Sequence, residues 1–200
     1  ALVCGSTQGL GYASAVELAL LGAHIVLMAR NEEKLVTALQ TLDRSKGQEH
    51  GFLVADFSHP QQVKEAIDNY LAKKTSIHIL INNTGGPAGG TALNAAVDEF
   101  RQAFNAHLIC NHILVQALVP GMKAEGYGRI VNIISTSVKQ PIAGLGVSNT
   151  IRAAVANWSK TLAGELGPFG ITVNNVLPGF TKTTRADYVV KKKAEAAGKT

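Results

Sequence analysis

Short apolar runs alternate with longer stretches of mixed apolar and polar residues along the whole chain. The apolar runs predict strands at residues 1–3, 24–29, 51–55, 77–81, 129–134 and 171–177. The stretches between them predict helices at 10–21, from Asn31 onward, and at 60–70, 96–125 and 148–166. Because nearly every position in these strands is apolar, we expect a sheet that is covered on both faces.

This alternation predicts an α/β fold, a Rossmann-type doubly wound parallel sheet in a three-layer α/β/α arrangement. With 200 residues and no internal linker or repeat, we expect one domain over residues 1–200, in which 180–200 begin a lid over the substrate. The chain starts inside an apolar run and stops in a polar one, so we expect both ends to be incomplete. Ligands of such folds bind beyond the carboxyl ends of the strands, which directs attention to the residues after each strand.

Charge, hydropathy and cysteine content exclude several classes of function. Residues 180–200 carry six basic and two acidic side chains, so most of the net charge of +5 lies there and the body has no basic face for nucleic acid. We interpret this basic segment as a solvated lid or helix. No apolar run is long enough to span a membrane. Cys4 and Cys110 form no metal-binding or disulfide pattern, which favours a reducing compartment such as the cytoplasm and predicts no metal.

The first predicted strand runs into a glycine-rich turn. The turn reads Gly5, Ser6, Thr7, Gln8, Gly9, Leu10, Gly11, and it leads into the first predicted helix. Glycines at such a turn permit positive φ and let a pyrophosphate approach the backbone at a helix N-terminus. The spacing differs from the commonest dinucleotide fingerprint, so a plain turn is the alternative. The position between a strand and a helix favours a dinucleotide-binding turn.

The turn resembles that of the short-chain dehydrogenase/reductase family, and three further signatures agree in order. They are Asp56 after the third strand, Asn82-Asn83-Thr84-Gly85 after the fourth, and 175–179 after the sixth. The resemblance covers nearly the whole chain, although Cys4 stands where the family usually has threonine. It implies that Asp56 and Phe57 lie near the adenine and that 82–85 run along the cofactor. It also implies that the nicotinamide end is held by Pro178, Gly179, Thr181 and Thr183.

The residues after the second strand indicate which nucleotide binds. NAD enzymes of this build place an acidic residue there to bind the ribose 2′-hydroxyl. This chain has Ala29, followed by Arg30 and Asn31, which we include in the cofactor site. A guanidinium can hold a 2′-phosphate, so we predict that NADP(H) is preferred and NAD(H) is possible. The alternative is that Arg30 stacks on the adenine and tolerates both cofactors.

The resemblance implies four catalytic positions, usually asparagine, serine, tyrosine and lysine. Counting along the motifs places His107, Ser135, Ser148 and Arg152 there, so only the serine is retained. A serine hydroxyl is a far weaker acid than a tyrosine phenol. We therefore expect Ser135 and Ser148 to orient a carbonyl and Arg152 to contact the cofactor ribose. His107 would supply the proton directly or through water, because an imidazole titrates near neutral pH.

Each of these residues also has a structural interpretation. His107 could be a core histidine bonded to a carbonyl, Ser148 a helix N-cap, and Arg152 half of a surface salt bridge. His112 fits the surface of its helix, and Trp158 fits a helix interface.

Two functions remain open. One is an oxidoreductase that transfers hydride between a nicotinamide and a small-molecule carbonyl or alcohol, with a non-standard proton donor. The alternative is a catalytically weak or inactive pseudoenzyme that binds or senses the dinucleotide. The resemblance also implies a homodimer or homotetramer, built by pairing of the long helices.

Overall fold

In the computed structural model, which describes residues 1–73, 76–182, 190 and 194, six parallel strands form one sheet. The strands are β1 (Leu2–Cys4), β2 (Val26–Ala29), β3 (Gly51–Val54), β4 (Ile79–Asn82), β5 (Gly128–Ile133) and β6 (Ile171–Val176). Their order is β3-β2-β1-β4-β5-β6, and every pair is parallel. The predicted doubly wound sheet is confirmed.

Helices connect successive strands, as the sequence pattern predicts. They are α1 (Gly9–Leu20), α2 (Glu32–Gln40), α3 (Pro60–Leu71), α4 (Val97–Phe104), α5 (Cys110–Glu125) and α6 (Gly146–Leu166). Asn31 caps α2 by accepting the amide of Lys34 at 2.9 Å. No helix of the described chain has both the length and the apolar composition needed to cross a membrane.

Two local predictions differ from the structure. The single helix predicted over 96–125 is interrupted by a π-helical segment, Asn105–Ile109, which joins α4 to α5. Ser148 is not the N-cap of α6, because that helix begins at Gly146 with Leu145 before it. Both differences lie beside the carboxyl ends of β4 and β5.

The core lies in two layers, one on each face of the sheet. Leu2 and Cys4 of β1 face a cluster built with α3, α5 and α6, whereas Val3 faces a cluster built with α1 and α2. This alternation follows from the two-residue period of a strand. Trp158 packs against the first cluster, as predicted. His112 is half-buried rather than on the surface, and its ring meets that of Trp158 edge-on at 6.2 Å.

The order of the strands fixes where a ligand can bind. From β1 the chain adds β2 and then β3 on one side of the sheet. It then returns to the other side of β1 and adds β4, β5 and β6 in order. At this switch point the loops after β1 and β4 diverge and leave a crevice at the carboxyl edge. The glycine turn follows β1, and Asn83-Thr84-Gly85 follow β4, so both predicted motifs border this crevice.

Candidate active site

A cleft of about 430 Å³ opens at the switch point, and most of the predicted site residues line it. It is bordered by the turn after β1 and by the loops after β4, β5 and β6. The predicted residues on its lining are Gly5, Gln8, Gly9, Leu10, Asn83, Thr84, Gly85, Ser135, Ser148, Arg152, Pro178, Gly179 and Thr181.

The other predicted residues are not on the lining of this cleft. They are Ser6, Thr7, Gly11, Arg30, Asn31, Asp56, Phe57, Asn82 and His107. The Ser6 hydroxyl is fully buried and accepts the amide of Met28 at 3.1 Å. Phe57 is buried in the core. These two side chains are therefore buried and do not line the cleft. Thr183 and most of the basic segment 180–200 lie outside the described residues.

The glycine turn is held tightly against the start of the loop after β4. The Asn83 side-chain amide donates to the carbonyl oxygens of Cys4 and Gly5 at 3.3 and 3.2 Å. Gly5 and Gly9 have φ of +56° and +59°, where glycine is favoured. A Cβ on Gly11 would lie 2.3 Å from the Gly5 carbonyl oxygen, so no larger residue fits.

The start of α1 fits an anionic ligand. Gln8 provides no side-chain cap to this helix, and the first turn holds no acidic residue. Gln8, Gly9 and Leu10 line the cleft, so the positive end of the helix dipole faces it. The tight glycine turn and the uncapped N-terminus together fit the pyrophosphate of a dinucleotide.

Arg30 and Asp56 stand at the ends of the neighbouring strands β2 and β3. Arg30 is exposed, and its charge acts on Asp56. Burial alone would raise the pKa of Asp56, but hydrogen bonds from Ser58 and the charge of Arg30 outweigh it, so the pKa is lowered. This end of the site thus presents one exposed guanidinium and one carboxylate.

The opposite end of the cleft brings together Ser135, Ser148 and Arg152. Arg152 Nη1 donates to the carbonyl oxygen of Ile133 at 2.9 Å, which holds the guanidinium beside the end of β5. The Ser135 hydroxyl accepts the amide of Ser137 at 3.0 Å. Ser148 lies in the first turn of α6, one turn before Arg152. We call these three residues the reaction corner.

The described lining of the cleft carries one charged side chain. Within the described residues, Arg152 is its only charged side chain, and it includes no Asp, Glu, His, Lys, Tyr or Cys. The two cysteines are buried, and burial raises the pKa of both thiols, which makes them unreactive. Among the described residues, the lining therefore offers hydroxyl groups and a guanidinium, and no side chain that titrates near neutral pH.

His107 lies behind the reaction corner, on the π-helical segment. It is 3% exposed and borders a narrow space together with Asn82, Asn111 and Arg152. Burial and the nearby charge of Arg152 lower its pKa to about 3, although a hydrogen bond with the Gly85 backbone acts the other way. This lowered pKa favours the neutral imidazole at pH 7. The alternative of a buried histidine bonded to the backbone matches this geometry.

The substrate side of the cleft is closed by two loops that hydrogen-bond to each other. Gly90 N–H donates to the Gly144 carbonyl at 2.8 Å, and Gly146 N–H donates to the Gly90 carbonyl at 2.9 Å. A Cβ on Gly146 would lie 2.2 Å from the Ala92 nitrogen, so the contact requires glycine. This clamp sets the position of Leu145 and of Ser148 just beyond it.

Sequence reasoning missed part of the lining. The missed residues are Ile133, Ile134, Thr136, Ile142 and Leu145. Ile134 and Thr136 flank Ser135 directly and Ile133 precedes them, so the position of the serine at a strand end was a usable signal. The other two depend on the loop clamp, which pairs distant glycines and leaves no local signal.

A chain of buried polar side chains supports the wall of the cleft. The Asn82 amide donates to Asn132 Oδ1 at 2.8 Å, and the Asn132 amide donates to Ser159 Oγ at 2.9 Å. The Ser159 hydroxyl donates to the Val155 carbonyl at 2.7 Å. These bonds tie β4, β5 and α6 together, and Ser159 lies about two helical turns beyond Arg152.

Comparison with known proteins identifies the family of the chain. The chain matches the family model of the short chain dehydrogenases over residues 1–194. It is 34% identical over 191 residues to the Streptomyces violaceoruber protein "Granaticin polyketide synthase putative ketoacyl reductase 1", covering 94% of this chain and 70% of the relative. It is 32% identical over 186 residues to "Inactive hydroxysteroid dehydrogenase-like protein 1" of Pongo abelii, covering 92% of this chain and 56% of that protein.

A solved structure gives the same result. L-sorbose reductase of Gluconobacter frateurii, in complex with NADPH and L-sorbose, matches with a TM-score of 0.90 and 30% identity, covering 97% of this chain and 74% of that one. The fold, the ordered motifs and the family match over nearly the whole chain agree. The chain belongs to the short-chain dehydrogenase/reductase family.

Proposed function

We propose that this protein is an NADP(H)-dependent oxidoreductase that acts on a carbonyl or alcohol group of a small molecule. The observation that carries the proposal is that one cleft contains both the glycine turn and the reaction corner. One end of the cleft fits a dinucleotide, and the other offers hydrogen-bond donors to a polar group. Family membership supports hydride transfer as the reaction.

The cofactor we assign is NADP(H), with NAD(H) as a weaker ligand. Arg30 is exposed at the end of β2, where a ribose 2′-phosphate would need a cation. The related L-sorbose reductase is complexed with NADPH, which supports the choice. Gly9 and Leu10 would hold the pyrophosphate, and Pro178, Gly179 and Thr181 the nicotinamide end. When bound, this cofactor supplies or accepts the hydride.

The residues of the reaction corner would act on the substrate oxygen. Ser135 and Ser148 would donate hydrogen bonds to the carbonyl and fix its orientation. Arg152 would stabilise the negative charge that develops on that oxygen, and its bond to Ile133 holds it in place in advance. Since the described lining holds no group that titrates near neutral pH, water at the mouth of the cleft would supply the proton, with the Ser148 hydroxyl as relay.

The substrate side favours a molecule with an apolar part beside its carbonyl group. Pro87, Ile142, Leu145 and Phe180 line this side. We propose a small-molecule substrate in a reducing compartment such as the cytoplasm, which fits the two buried free cysteines. We also propose a homodimer or homotetramer, since Leu93 and Val97, beside the start of α4, are 92% and 66% exposed.

The second candidate is a dinucleotide-binding pseudoenzyme. The observation in its favour is the loss of the usual tyrosine and lysine from the reaction corner, while the glycine turn stays intact. The name of the Pongo abelii relative marks that protein as inactive. This candidate predicts tight cofactor binding without turnover.

One experiment separates the two candidates. NADPH and NADH binding is titrated by fluorescence, and oxidation of each is then followed with quinones, diketones, aldehydes and β-keto esters. Turnover with NADPH preferred supports the oxidoreductase. Tight binding with no turnover across the panel supports the pseudoenzyme, and a protein that binds neither nucleotide would contradict both.

A further inference from the structure

The π-helical segment Asn105–Ile109 brings a histidine behind the reaction corner. A π-helical turn adds one residue to a helix and re-aims the side chains around it, and such turns often lie at functional sites. The segment packs against α6, which carries Arg152, as well as joining α4 to α5. His107 lies at the centre of this segment and is 3% exposed, so its side chain is buried.

His107 lies between residues from two sides of the cleft. It shares a hydrogen bond with the backbone of Gly85, which lines the cleft after β4. It also faces Arg152, which lines the same cleft from α6. Arg152 is the charged side chain that acts on His107, and the other residues around the narrow space within the described chain are amides, a hydroxyl or apolar groups.

We infer that His107 is a positioning residue: a neutral imidazole that joins the Gly85 loop to Arg152 and thereby fixes the distance between the two walls of the reaction corner. The inference rests on the proposed function, because the wall it positions is the one that would hold the substrate. A neutral ring is required, since an imidazolium beside the guanidinium would be repelled and would bring a second buried charge.

In this positioning role, His107 does not donate or accept the proton of the reaction. The ring is behind the lining of the cleft, whereas Ser135, Ser148 and Arg152 are on it. The bond to Gly85 occupies one nitrogen. His107 would therefore influence the reaction through the placement of Gly85 and Arg152, and the pH dependence of turnover would carry no histidine titration.

The test compares His107→Gln, which keeps a neutral hydrogen-bond donor, with His107→Leu, which removes it. His112→Leu is the matched control, five residues further along and packed on Trp158. We expect His107→Gln to stay within about threefold of wild type and His107→Leu to lose about 100-fold in kcat/KM, because small misplacements of reacting groups cost that much. The loss should be larger in KM than in kcat, while the control stays unchanged.

A second readout does not depend on activity. The imidazole ¹⁵N shifts of His107 should report a neutral ring from pH 5 to pH 8, and His107→Leu should shift the Gly85 and Arg152 resonances while His112→Leu does not. Protonation of His107 in that pH range would overturn the inference. So would a step near pH 6.5 in the kcat profile that His107→Gln removes. If the protein proves inactive, the NMR result still decides the structural link, and the proposed function fails separately.

Discussion

The two ends of the cleft differ in what holds them together. At the phosphate end, backbone atoms of Gly5 and Gly11 and the Asn83 amide pack so closely that only glycine fits. At the reaction corner, the chain uses side chains, with Arg152 bonded to Ile133 and His107 bonded to Gly85. Close backbone packing therefore determines the residues at the first end, whereas hydrogen bonds of side chains hold the second.

We therefore expect substitutions in the glycine turn to be tolerated less well than substitutions in the reaction corner. A substitution in the glycine turn would displace backbone that also forms the sheet edge. A substitution in the reaction corner exchanges a side chain on the lining of the cleft and leaves the close backbone packing of the glycine turn in place. Four variants test this contrast, starting with the one that should have the largest effect.

Gly11→Ala should abolish NADPH binding. Its Cβ would lie 2.3 Å from the Gly5 carbonyl and 2.7 Å from the Asn83 amide, so the turn must open. Overpacking of this kind lowers the free energy of unfolding by about 1–3 kcal/mol. Fluorescence titration and thermal unfolding measure both effects.

Gly164→Ala in α6 is the matched control, because its Cβ would meet nothing within 4 Å. It should bind NADPH normally and gain about 0.5–1 kcal/mol from helix propensity. Normal NADPH binding by Gly11→Ala would show that the glycine turn is not the cofactor site.

Arg152→Met should lower kcat/KM by about 100- to 1000-fold, the usual cost of removing one group that stabilises a developing oxyanion. Arg152→Lys should recover only part of this, because an ammonium cannot reproduce the planar set of donors. Steady-state kinetics on a substrate from the panel would measure both.

Arg101→Met serves as the control, since Arg101 is exposed and paired with Asp98 on the surface. Full activity in Arg152→Met would place the chemistry outside the reaction corner.

The stability of the protein should fall in acid partly through His107. Burial and the charge of Arg152 lower its pKa from 6.5 to about 3 in the folded protein. Between those values the unfolded chain binds a proton that the folded chain does not, so this contribution is complete above pH 6.5 and is lost as the pH falls towards 3. Urea unfolding at pH 7.0, 5.5 and 4.5 should show a shallower acid decline for His107→Gln than for wild type. Parallel declines would contradict a neutral buried ring.

Arg30→Ser should have the smallest effect and should change only the choice of nucleotide. Loss of one charge-assisted contact to a 2′-phosphate weakens NADPH binding by about tenfold to 100-fold, whereas NADH binding should hardly change. Competition titrations with both nucleotides measure this ratio, and Arg101→Ser controls for net charge. An equal loss for both nucleotides would favour stacking of Arg30 on the adenine.

Local patterns were sufficient for the sheet, because each buried strand is an apolar run and each helix has its own period. They also located the glycine turn and Ser135, which lie at strand ends. They missed the π-helical segment, since nothing in residues 105–109 distinguishes it from α-helix. They left two interpretations of His107 open, a proton donor and a buried histidine bonded to a carbonyl, because its pKa depends on burial and on Arg152, which is distant in sequence. The hydrogen bond between Gly90 and Gly144 was also not predictable from local patterns, because it joins two loops that are distant in sequence.

The most direct test of hydride transfer at this cleft follows a label. NADPH carrying deuterium on one or the other face of nicotinamide C4 is incubated with the protein and a substrate from the panel, and the product is examined by mass spectrometry. The account predicts deuterium on the former carbonyl carbon from one face only, with almost none formed by Arg152→Met. Product without deuterium from either face, or equal labelling by Arg152→Met, would contradict it.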